Sequence, residues 1–556
     1  MLLRNLLLVL SMIVSLPHIG RAQSFMSQGQ SRTVELEKNY RVVRSSPRTL
    51  SEQSKFTSLP KELVGRFNDI GLLVLPVDAV KAQTDIIGIP LWFSRDKGAA
   101  GVLTTEIVVM VTTADAVKKI KSIGDVVSVN ESKFKDGLFA VSFKSEILAL
   151  DWSKKIAGFS GVKYAHPNFV IAKSIRTNVK LIDPAEPLFP LQWHLKNSGQ
   201  NAGAVGADIH ALEAWAVTKG SEDVVIAVLD SGFEVGHPDL QQVWATNYSE
   251  IADNGVDDDD NGYIDDVRGW NFQKKSNDVN DGWSAPHGTS VSGLIAARHN
   301  SQGVSGSCPN CMILPMTIPF DVLNEAAAFY YAKSRGVQII SNSWGYAVGT
   351  PMTDVVVEAI NDVAINGRNG NGIVILFAMN NINQDDCVGS NPDISSLDSV
   401  IAVSSSSDLD KKTVNSAWGH CMEFLAPSQE SMRGAITTTD MTGPKGYNNG
   451  MKPGDLADLS YTNNFGGTSA ATPIAAGVFG LMFSLNENLT RDEALSMVLA
   501  TADKVHPEVA NYDASGFSRK YGFGRINAAK ALRAVEVFRK YSNKSKPGKN
   551  APIRRQ

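Results

Sequence analysis

Three side chains able to carry out nucleophilic catalysis stand in short glycine-containing motifs of this chain. Asp230 follows an apolar run and opens Asp-Ser-Gly, His287 opens His-Gly-Thr-Ser, and Ser469 ends Gly-Gly-Thr-Ser. A serine hydroxyl is a weak nucleophile until an imidazole takes its proton, and that imidazole needs a carboxylate to fix its tautomer. Together the three residue types predict acyl-transfer chemistry.

An asparagine and a helix start meet the next requirement of that chemistry. The tetrahedral intermediate carries an oxyanion, which needs preorganised hydrogen-bond donors. Asn380 follows another apolar run, and its amide and the backbone N–H of Ser469 are predicted to be those donors. A helix beginning at Ser469 would add the positive end of its dipole.

Each motif taken alone has a simpler interpretation. Asp-Ser-Gly is a common turn, a histidine before glycine is often a helix cap, and Gly-Thr-Ser before a helix is a common N-cap. The three motifs occur together, each placed at a predicted strand end or helix start, and this combination favours a catalytic site.

Buried strands and helices are predicted to position these side chains. Continuous apolar runs rich in β-branched residues are typical of parallel strands covered on both faces by helices. In such sheets the functional groups gather where strands end. The runs are 224–229, 337–340, 373–377 and 400–403.

The chain before this region predicts a smaller α+β unit at 66–175. Its predicted strands are 106–111, 138–143 and 162–170, and its predicted helices are 114–123 and 147–157. Residues 23–65 are polar and are predicted to be loose, 176–189 are a predicted linker, 190–535 form the large unit, and 536–556 are a basic tail.

Bulk properties limit the function classes. The chain has 556 residues, 43% of them hydrophobic, and a net charge of −4, so no overall basic field points to nucleic acid as a partner. Residues 1–22 predict a cleavable signal peptide, with Arg4 before a short apolar run and Ala22 before the cut. We therefore expect a secreted protein, extracellular or periplasmic, with no membrane span after signal removal.

Four cysteines fit an oxidising compartment. Three disulfide connectivities are possible, and the simplest pairs Cys308 with Cys311 and Cys387 with Cys421. A structural zinc at Cys308 and Cys311 is the runner-up, and a redox-active pair is a weaker alternative.

The three catalytic motifs resemble those of the subtilisin-like serine protease family (subtilases), with some kexin-like features. The order Asp, His, Ser is that family's order, and the resemblance covers residues 190–535. It implies an α/β catalytic domain, a parallel β-sheet sandwiched by helices, and a secreted serine endopeptidase that hydrolyses protein or peptide substrates without a catalytic cofactor. It also implies that Asp230, His287 and Ser469 form the triad and that Asn380 lies in the oxyanion hole. Because Met379 stands where the family usually has glycine, Asn381 is the alternative.

Two further segments carry the resemblance. Ser343, Trp344 and Gly345 resemble the family's substrate-binding strand. The segment from Tyr164 to Asn168 resembles the end of the family's prodomain, which implies that 66–175 is an inhibitory and chaperone prodomain, the chain's own intramolecular inhibitor, released by cleavage within 176–189. An unrelated accessory domain is the alternative.

A densely acidic stretch at 253–266 predicts a structural calcium site. Oxygen-bearing residues alternate before Gly262, as at the start of an EF-hand loop, although Arg268 stands where that loop ends in glutamate. The alternative is a solvated acidic loop. Asp239 matches a family position that often binds calcium. The predicted ligands are Asp257, Asp259, Asn261, Tyr263, Asp265 and Asp239.

Two other function classes stay open. One is a catalytically inactive binding protein on the same scaffold. The other is an esterase, which the absence of a Gly-x-Ser-x-Gly motif around Ser469 disfavours.

Overall fold

In a computed structural model, the described part of the chain forms two compact units, one up to residue 171 and one from residue 181. The described residues are 23–27, 30–44, 72–76, 89–94, 100–132, 135–171, 181–280, 285–347, 349–389, 393–429, 434–513 and 515–542. The predicted signal peptide, most of the basic tail and the start of the predicted linker lie outside these residues.

Among the described residues, the first unit is an eight-stranded antiparallel sheet with two helices. The strands run in the order β1-β2-β4-β5-β7-β6, with β3 beside β2 and β8 beside β5. They are β1 (Gln23–Ser27), β2 (Gln30–Arg44), β3 (Leu72–Pro76), β4 (Ile89–Ser94), β5 (Ala100–Val111), β6 (Val126–Glu131), β7 (Leu138–Phe143) and β8 (Val162–Ile171). The helices are α1 (Ala114–Lys121) and α2 (Glu146–Ala157).

Local sequence explains the helices of this unit. The Thr113 side chain accepts a hydrogen bond from the Ala116 N–H at the start of α1, and Ser145 caps α2 in the same way. Buried side chains of β5 and β7 pack with those of the two helices into one core. The α+β class and its five predicted elements are confirmed, and β3, β4 and β6 are additional strands within 66–175.

The strands β1 and β2 occupy residues that the sequence predicts to be loose. Within β2, apolar and charged residues alternate from Val34 to Glu37 and again from Tyr40 to Val42, the two-residue period of a strand. Strand β2 pairs with β1, β3 and β4. The overall polarity of the segment concealed this alternation.

The second unit is built on a seven-stranded sheet with every strand parallel to its neighbours. The strand order is β10-β11-β9-β12-β13-β14-β15. The strands are β9 (Val225–Asp230), β10 (Trp270–Asn271), β11 (Met312–Thr317), β12 (Ile339–Asn342), β13 (Val374–Ala378), β14 (Ile401–Ser406) and β15 (Met422–Pro427). A separate antiparallel pair consists of β16 (Ile436–Thr439) and β17 (Tyr461–Phe465).

Eight helices accompany these sheets among the described residues. They are α3 (Ala211–Trp215), α4 (Ala285–Ala296), α5 (Val322–Ser334), α6 (Asp354–Asn366), α7 (Thr468–Leu485), α8 (Arg491–Thr501), α9 (Pro507–Ala510) and α10 (Ala528–Ser542). The predicted parallel sheet between helices is thereby confirmed, because the central strands bury both faces.

The sheet brings the ends of its central strands to one edge. Asp230, Thr317 and Asn342 lie at the carboxyl ends of three adjacent strands. Met379 follows the end of the next strand, β13, and is also buried. This edge is where a parallel sheet collects functional groups.

Three boundaries differ from the predictions. Helix α4 begins before His287 and not after it. The end of the predicted linker belongs to the second unit, because Glu186 and Phe189 are buried and the Leu188 N–H donates to the Gly303 carbonyl at 2.9 Å. Helix α10 continues to Ser542, past the predicted start of the tail.

Among the described residues, α7 is the single helix long and apolar enough to cross a membrane. In the structure it is a core helix, since 83% of its 18 residues are buried inside the protein.

Candidate active site

The last residue of β9 supplies a buried carboxylate. Asp230 is 1% exposed, and its Oδ1 accepts hydrogen bonds from the Ser231 N–H at 2.7 Å and from His287 Nδ1 at 2.8 Å. These bonds hold the carboxylate in place. They also fix the tautomer of His287 with the proton on Nδ1, so Nε2 is free to act as a base.

The histidine sits in the first turn of α4, pressed against the turn that follows β9. Only glycine fits at residue 288, since a Cβ there would lie 2.2 Å from the Gly232 carbonyl oxygen. Burial opposes protonation of His287, but the charge and hydrogen bond of Asp230 outweigh it and raise the pKa of His287 above its usual value. The carboxylate therefore stabilises the imidazolium that forms during catalysis.

The serine lies at the start of α7. Gly467 caps this helix with φ 69°, a left-handed conformation that favours glycine, and Ser469 is the second residue of the helix. The Ser469 hydroxyl donates to the Ser343 carbonyl at 3.2 Å. The ring of Phe465, four residues earlier, lies 5.5 Å from the ring of His287, so serine and histidine belong to one site.

A proline inside α7 ties the serine to the substrate strand. Pro473 has no N–H, so the Ser469 carbonyl lacks its usual partner within the helix. The Ser343 hydroxyl donates to that carbonyl at 3.1 Å. Since the Ser469 hydroxyl donates to the Ser343 carbonyl, the two serines are joined by a reciprocal pair of hydrogen bonds.

The two candidate oxyanion asparagines face different neighbours. The Asn380 N–H donates to the Asp386 carboxylate at 2.8 Å, and the Asn380 side chain bonds to the same carboxylate. The Asn381 Oδ1 instead accepts from the Thr468 N–H at 2.9 Å. Asn381 therefore lies against the start of α7 beside Ser469, while the side chain of Asn380 is engaged elsewhere.

The predicted substrate strand follows β12. Ser343 is buried and bonded to Ser469 as described, Trp344 packs edge-on against Phe377 with ring centroids 5.1 Å apart, and Gly345 is exposed. The exposed backbone at Gly345 offers main-chain groups to an extended peptide.

Carboxylates line a small cleft next to this strand, a feature that no sequence motif predicted. Asn380 and Tyr346 line the same cleft, together with Asp385, Asp386 and Asp393. The Asp393 carboxylate lies beside Gly345, where an added Cβ would be 3.3 Å from its Oδ2. The Arg519 guanidinium, 2.6 Å from Asp385, neutralises one of these carboxylates, and the other two make the cleft more favourable for cationic or neutral groups than for anionic ones.

The acidic loop 253–266 is folded around its own backbone. Both carboxylate oxygens of Asp257 and both of Asp265 accept backbone N–H groups of the loop, and Asn261 Oδ1 accepts the Tyr263 N–H. The Tyr263 ring packs among aromatic rings. Most of the calcium ligands predicted in this loop thus already accept hydrogen bonds from its own backbone.

Two carboxylates of this loop, Asp259 and Asp266, converge with that of Glu250. One oxygen each of Glu250, Asp259 and Asp266 lies within 4.8 Å of the others. Only Asp259 belongs to the predicted set, and Asp266 already has a cationic partner, the Arg335 guanidinium at 2.9 Å.

Asp239 and Glu186 are two buried carboxylates that both accept hydrogen bonds from the loop 300–304. Asp239 Oδ1 accepts from Asn300 Nδ2 at 3.0 Å and Oδ2 from the Val304 N–H at 2.9 Å. Burial, aided by the negative charge of Glu186, raises the pKa of Asp239 to about 6. Glu186 Oε1 accepts the Ser301 N–H at 3.0 Å, while its Oε2 is buried without a partner.

Both predicted disulfides are present in the second unit. Cys308 is bonded to Cys311, and Cys387 to Cys421. All four cysteines are therefore occupied, which excludes a zinc site at Cys308 and Cys311 in this disulfide-bonded form.

Comparisons with known proteins agree with this geometry. The model of the subtilase family matches residues 221–524. A calcium-dependent protease of Trichormus variabilis is 33% identical over 69% of this chain and 55% of its own length, and neuroendocrine convertase 2 of Bos taurus is 27% identical over 64% and 54%. The chain thus spans about half the length of these relatives.

A solved structure shows the same fold. The serine protease of Aeromonas sobria aligns over 68% of this chain and 72% of its own, with a TM-score of 0.53 and 21% identity. The family match covers more than half of the chain and contains all three catalytic motifs, and the chain therefore belongs to the subtilase family.

Proposed function

We propose that this chain is a secreted serine endopeptidase that hydrolyses peptide bonds in proteins. The observation that carries the proposal is the buried Asp230 carboxylate bonded at 2.8 Å to His287, with Ser469 at the start of a helix in the same site. The names of the relatives, a calcium-dependent protease and a convertase, support the same activity.

Each residue takes one role in the reaction. His287 Nε2 removes the proton of the Ser469 hydroxyl as its oxygen attacks the carbonyl carbon of the substrate. Asp230 stabilises the resulting imidazolium, which then gives its proton to the departing amine. Water attacks the acyl-enzyme in the same way and releases Ser469. Before attack, the hydroxyl must leave the Ser343 carbonyl.

We assign the side-chain donor of the oxyanion hole to Asn381. Its Oδ1 is held by the Thr468 N–H, so its Nδ2 is the group left to donate towards the reacting carbonyl. The backbone N–H of Ser469 at the start of α7 is the second donor, favoured by the helix dipole.

The zymogen proposal concerns the first unit. We propose that 66–175 is a prodomain that inhibits the enzyme until cleavage within 176–189. Its α+β fold supports this proposal. The segment Tyr164–Asn168, which resembles the end of a prodomain, lies in β8 of that fold. Two disulfides support export to an oxidising compartment.

We propose a structural calcium site at the pair Glu186 and Asp239. Two buried carboxylates repel each other, and Glu186 Oε2 lacks any partner, so a hard divalent cation with oxygen ligands fits the pair. Such a cation would neutralise their repulsion and fasten 181–190 to the loop 300–304. The acidic loop with Asp259 is the second candidate, less in need of a cation because Arg335 already neutralises Asp266.

The calcium proposal is tested by thermal unfolding with and without Ca²⁺. Bound calcium at 100 times its Kd adds about 2.7 kcal/mol of stability. We expect Asp239→Asn to lose the calcium-dependent rise in Tm and Asp259→Asn to retain it. Loss in Asp259→Asn alone would move the site to the acidic loop, and no rise in the wild type would reject both sites.

The activity is tested with casein, the wild type and Ser469→Ala, each supplied with Ca²⁺. We expect the wild type to cleave casein, to react with a fluorophosphonate probe and to begin within 176–189 on N-terminal sequencing. Ser469→Ala should do none of these and keep its first unit. Equal behaviour of the two proteins would reject Ser469 as the nucleophile and favour a binding protein on this scaffold.

A further inference from the structure

The connection between β16 and β17 is a long loop that stands next to the catalytic histidine. It spans 440–460, longer than the roughly 12–15 residues beyond which loops without secondary structure are uncommon and usually functional. The chemistry of the triad uses none of its residues. The triad chemistry therefore does not explain why this loop is long or why it lies beside His287.

Buried polar side chains hold this loop in one conformation. The Asp440 N–H donates to the Ser460 carbonyl at 2.7 Å, which closes the base of the loop. Asp440 Oδ2 accepts the Asn448 N–H at 2.7 Å, and Asn448, 1% exposed, donates its amide to the carbonyls of Leu456 and Tyr461 at 3.0 and 2.8 Å. A loop with so many internal bonds is preorganised.

The loop is also fastened to the elements that carry the triad. Its Thr442 donates through both its N–H, at 2.7 Å, and its hydroxyl to the carboxylate of Glu234, four residues after Asp230. At the base of the loop, the Thr439 carbonyl accepts the Ser290 hydroxyl of helix α4 at 2.8 Å. The loop is thereby fixed relative to both Asp230 and His287.

These anchors place an aromatic side chain of the loop beside the triad. The Tyr447 ring lies 5.6 Å from the Phe465 ring, which itself lies 5.5 Å from the His287 ring. Burial raises the pKa of the Tyr447 hydroxyl, and the negative charge of Asp230 raises it further, so the phenol lies within electrostatic reach of the triad. Phe465 is 4% exposed, whereas Tyr447 is half-buried and therefore partly accessible from solvent.

The position of His287 identifies which half of a substrate meets this ring. Because Nδ1 is committed to Asp230, Nε2 must deliver the proton to the departing amine. The residue that follows the cleaved bond therefore passes beside the imidazole. The half before the cleaved bond runs along 343–345, which follows β12 and contacts Ser469 directly.

We propose that Tyr447, held by the loop 440–460 and backed by Phe465, forms the binding wall for the substrate residue after the cleaved bond and selects large apolar or aromatic side chains there. This rests on the proposed endopeptidase function. A rigid aromatic ring gains contact area and stacking from such side chains, and neighbouring Asp230 and Asp440 disfavour an acidic one.

The test compares two kinds of substrate that share the same residues before the cleaved bond. Quenched fluorescent peptides carry Leu, Phe, Gly or Asp after the bond, and a p-nitroanilide carries no amino acid there. The proteins are the wild type, Tyr447→Ala, Tyr447→Phe and, as a control at the exposed tip of the same loop, Met451→Ala. Tm and fluorophosphonate labelling confirm that each variant is folded with an intact triad.

We expect the wild type to cleave the Leu and Phe peptides at least tenfold better, in kcat/KM, than the Gly and Asp peptides. Tyr447→Ala should lose about tenfold on the Leu and Phe peptides with little change on the anilide, whereas Tyr447→Phe and Met451→Ala should retain the preference. An equal loss on peptides and anilide would show that the ring only supports His287 and overturn the proposal.

An unchanged preference in Tyr447→Ala would overturn the proposal equally. A wild type that labels but cleaves neither kind of substrate would instead reject the endopeptidase function itself, so the two failures are distinguishable.

Discussion

Replacing Asn381 and Asn380 one at a time tests the assignment of the oxyanion hole. The two residues are adjacent, but Asn381 faces the start of α7 through its 2.9 Å bond from Thr468, while Asn380 is bonded to Asp386. Removing one oxyanion donor costs about 2.7–4 kcal/mol of transition-state stabilisation, which corresponds to about 100–1000-fold in kcat. Asn381→Ala should show this loss with KM nearly unchanged.

Asn380→Ala is the matched control, since it removes the same amide one residue away. It should lower kcat by less than about tenfold, because its partner Asp386 lies outside the catalytic site. The assay is steady-state hydrolysis of a p-nitroanilide, with active sites counted by fluorophosphonate labelling and folding checked by Tm. The reverse order of effects would refute the assignment, and equal large losses would mean that the loop 379–381 acts only as a unit.

Three other perturbations follow from the structure. Gly467→Ala should lower both kcat and Tm, because residue 467 has φ 69° and a Cβ would lie 2.7 Å from Asn381 Oδ1; unchanged kinetics would contradict the packing described at the start of α7. Burial lowers the pKa of His194 to about 3, so the unfolded state alone takes up its proton below about pH 6.5 and stability falls as the pH falls. At pH 5 the loss is about 2 kcal/mol, which His194→Gln should reduce in urea unfolding compared across pH. Replacing both Cys387 and Cys421 by alanine should cost about 2–4 kcal/mol in the same assay, since their bond closes a loop with a sequence separation of 34.

The sequence predicted the four adjacent strands β9, β12, β13 and β14 because they are buried on both faces, but it missed β10, β11 and β15 of the same sheet. The first five residues of β9 are all apolar, an uninterrupted run that a strand with one exposed face would not have. The catalytic motifs were found for a related reason. Gly288 and Gly467 are glycines forced by close approach and by a positive φ, and they mark where backbone and functional side chains crowd together.

Features that depend on tertiary contacts could not be predicted in the same way. The choice between Asn380 and Asn381 depends on which side of the chain each faces after β13 ends. Glu186 lies in a polar stretch that resembles a linker, and only its burial beside Asp239 reveals a candidate ligand. Tyr447 is unremarkable in sequence, because its partner Phe465 is brought near it by a folded loop.

The proline in α7 has a consequence for the timing of motions in the site. Because Pro473 frees the Ser469 carbonyl, the first turn of the helix is fastened to the end of β12 through Ser343 and less to the helix behind it. Fraying of a helix end normally loosens its first residues. Here the nucleophile is anchored from outside the helix, so its motions should follow those of the end of β12 and not the fraying of the helix terminus.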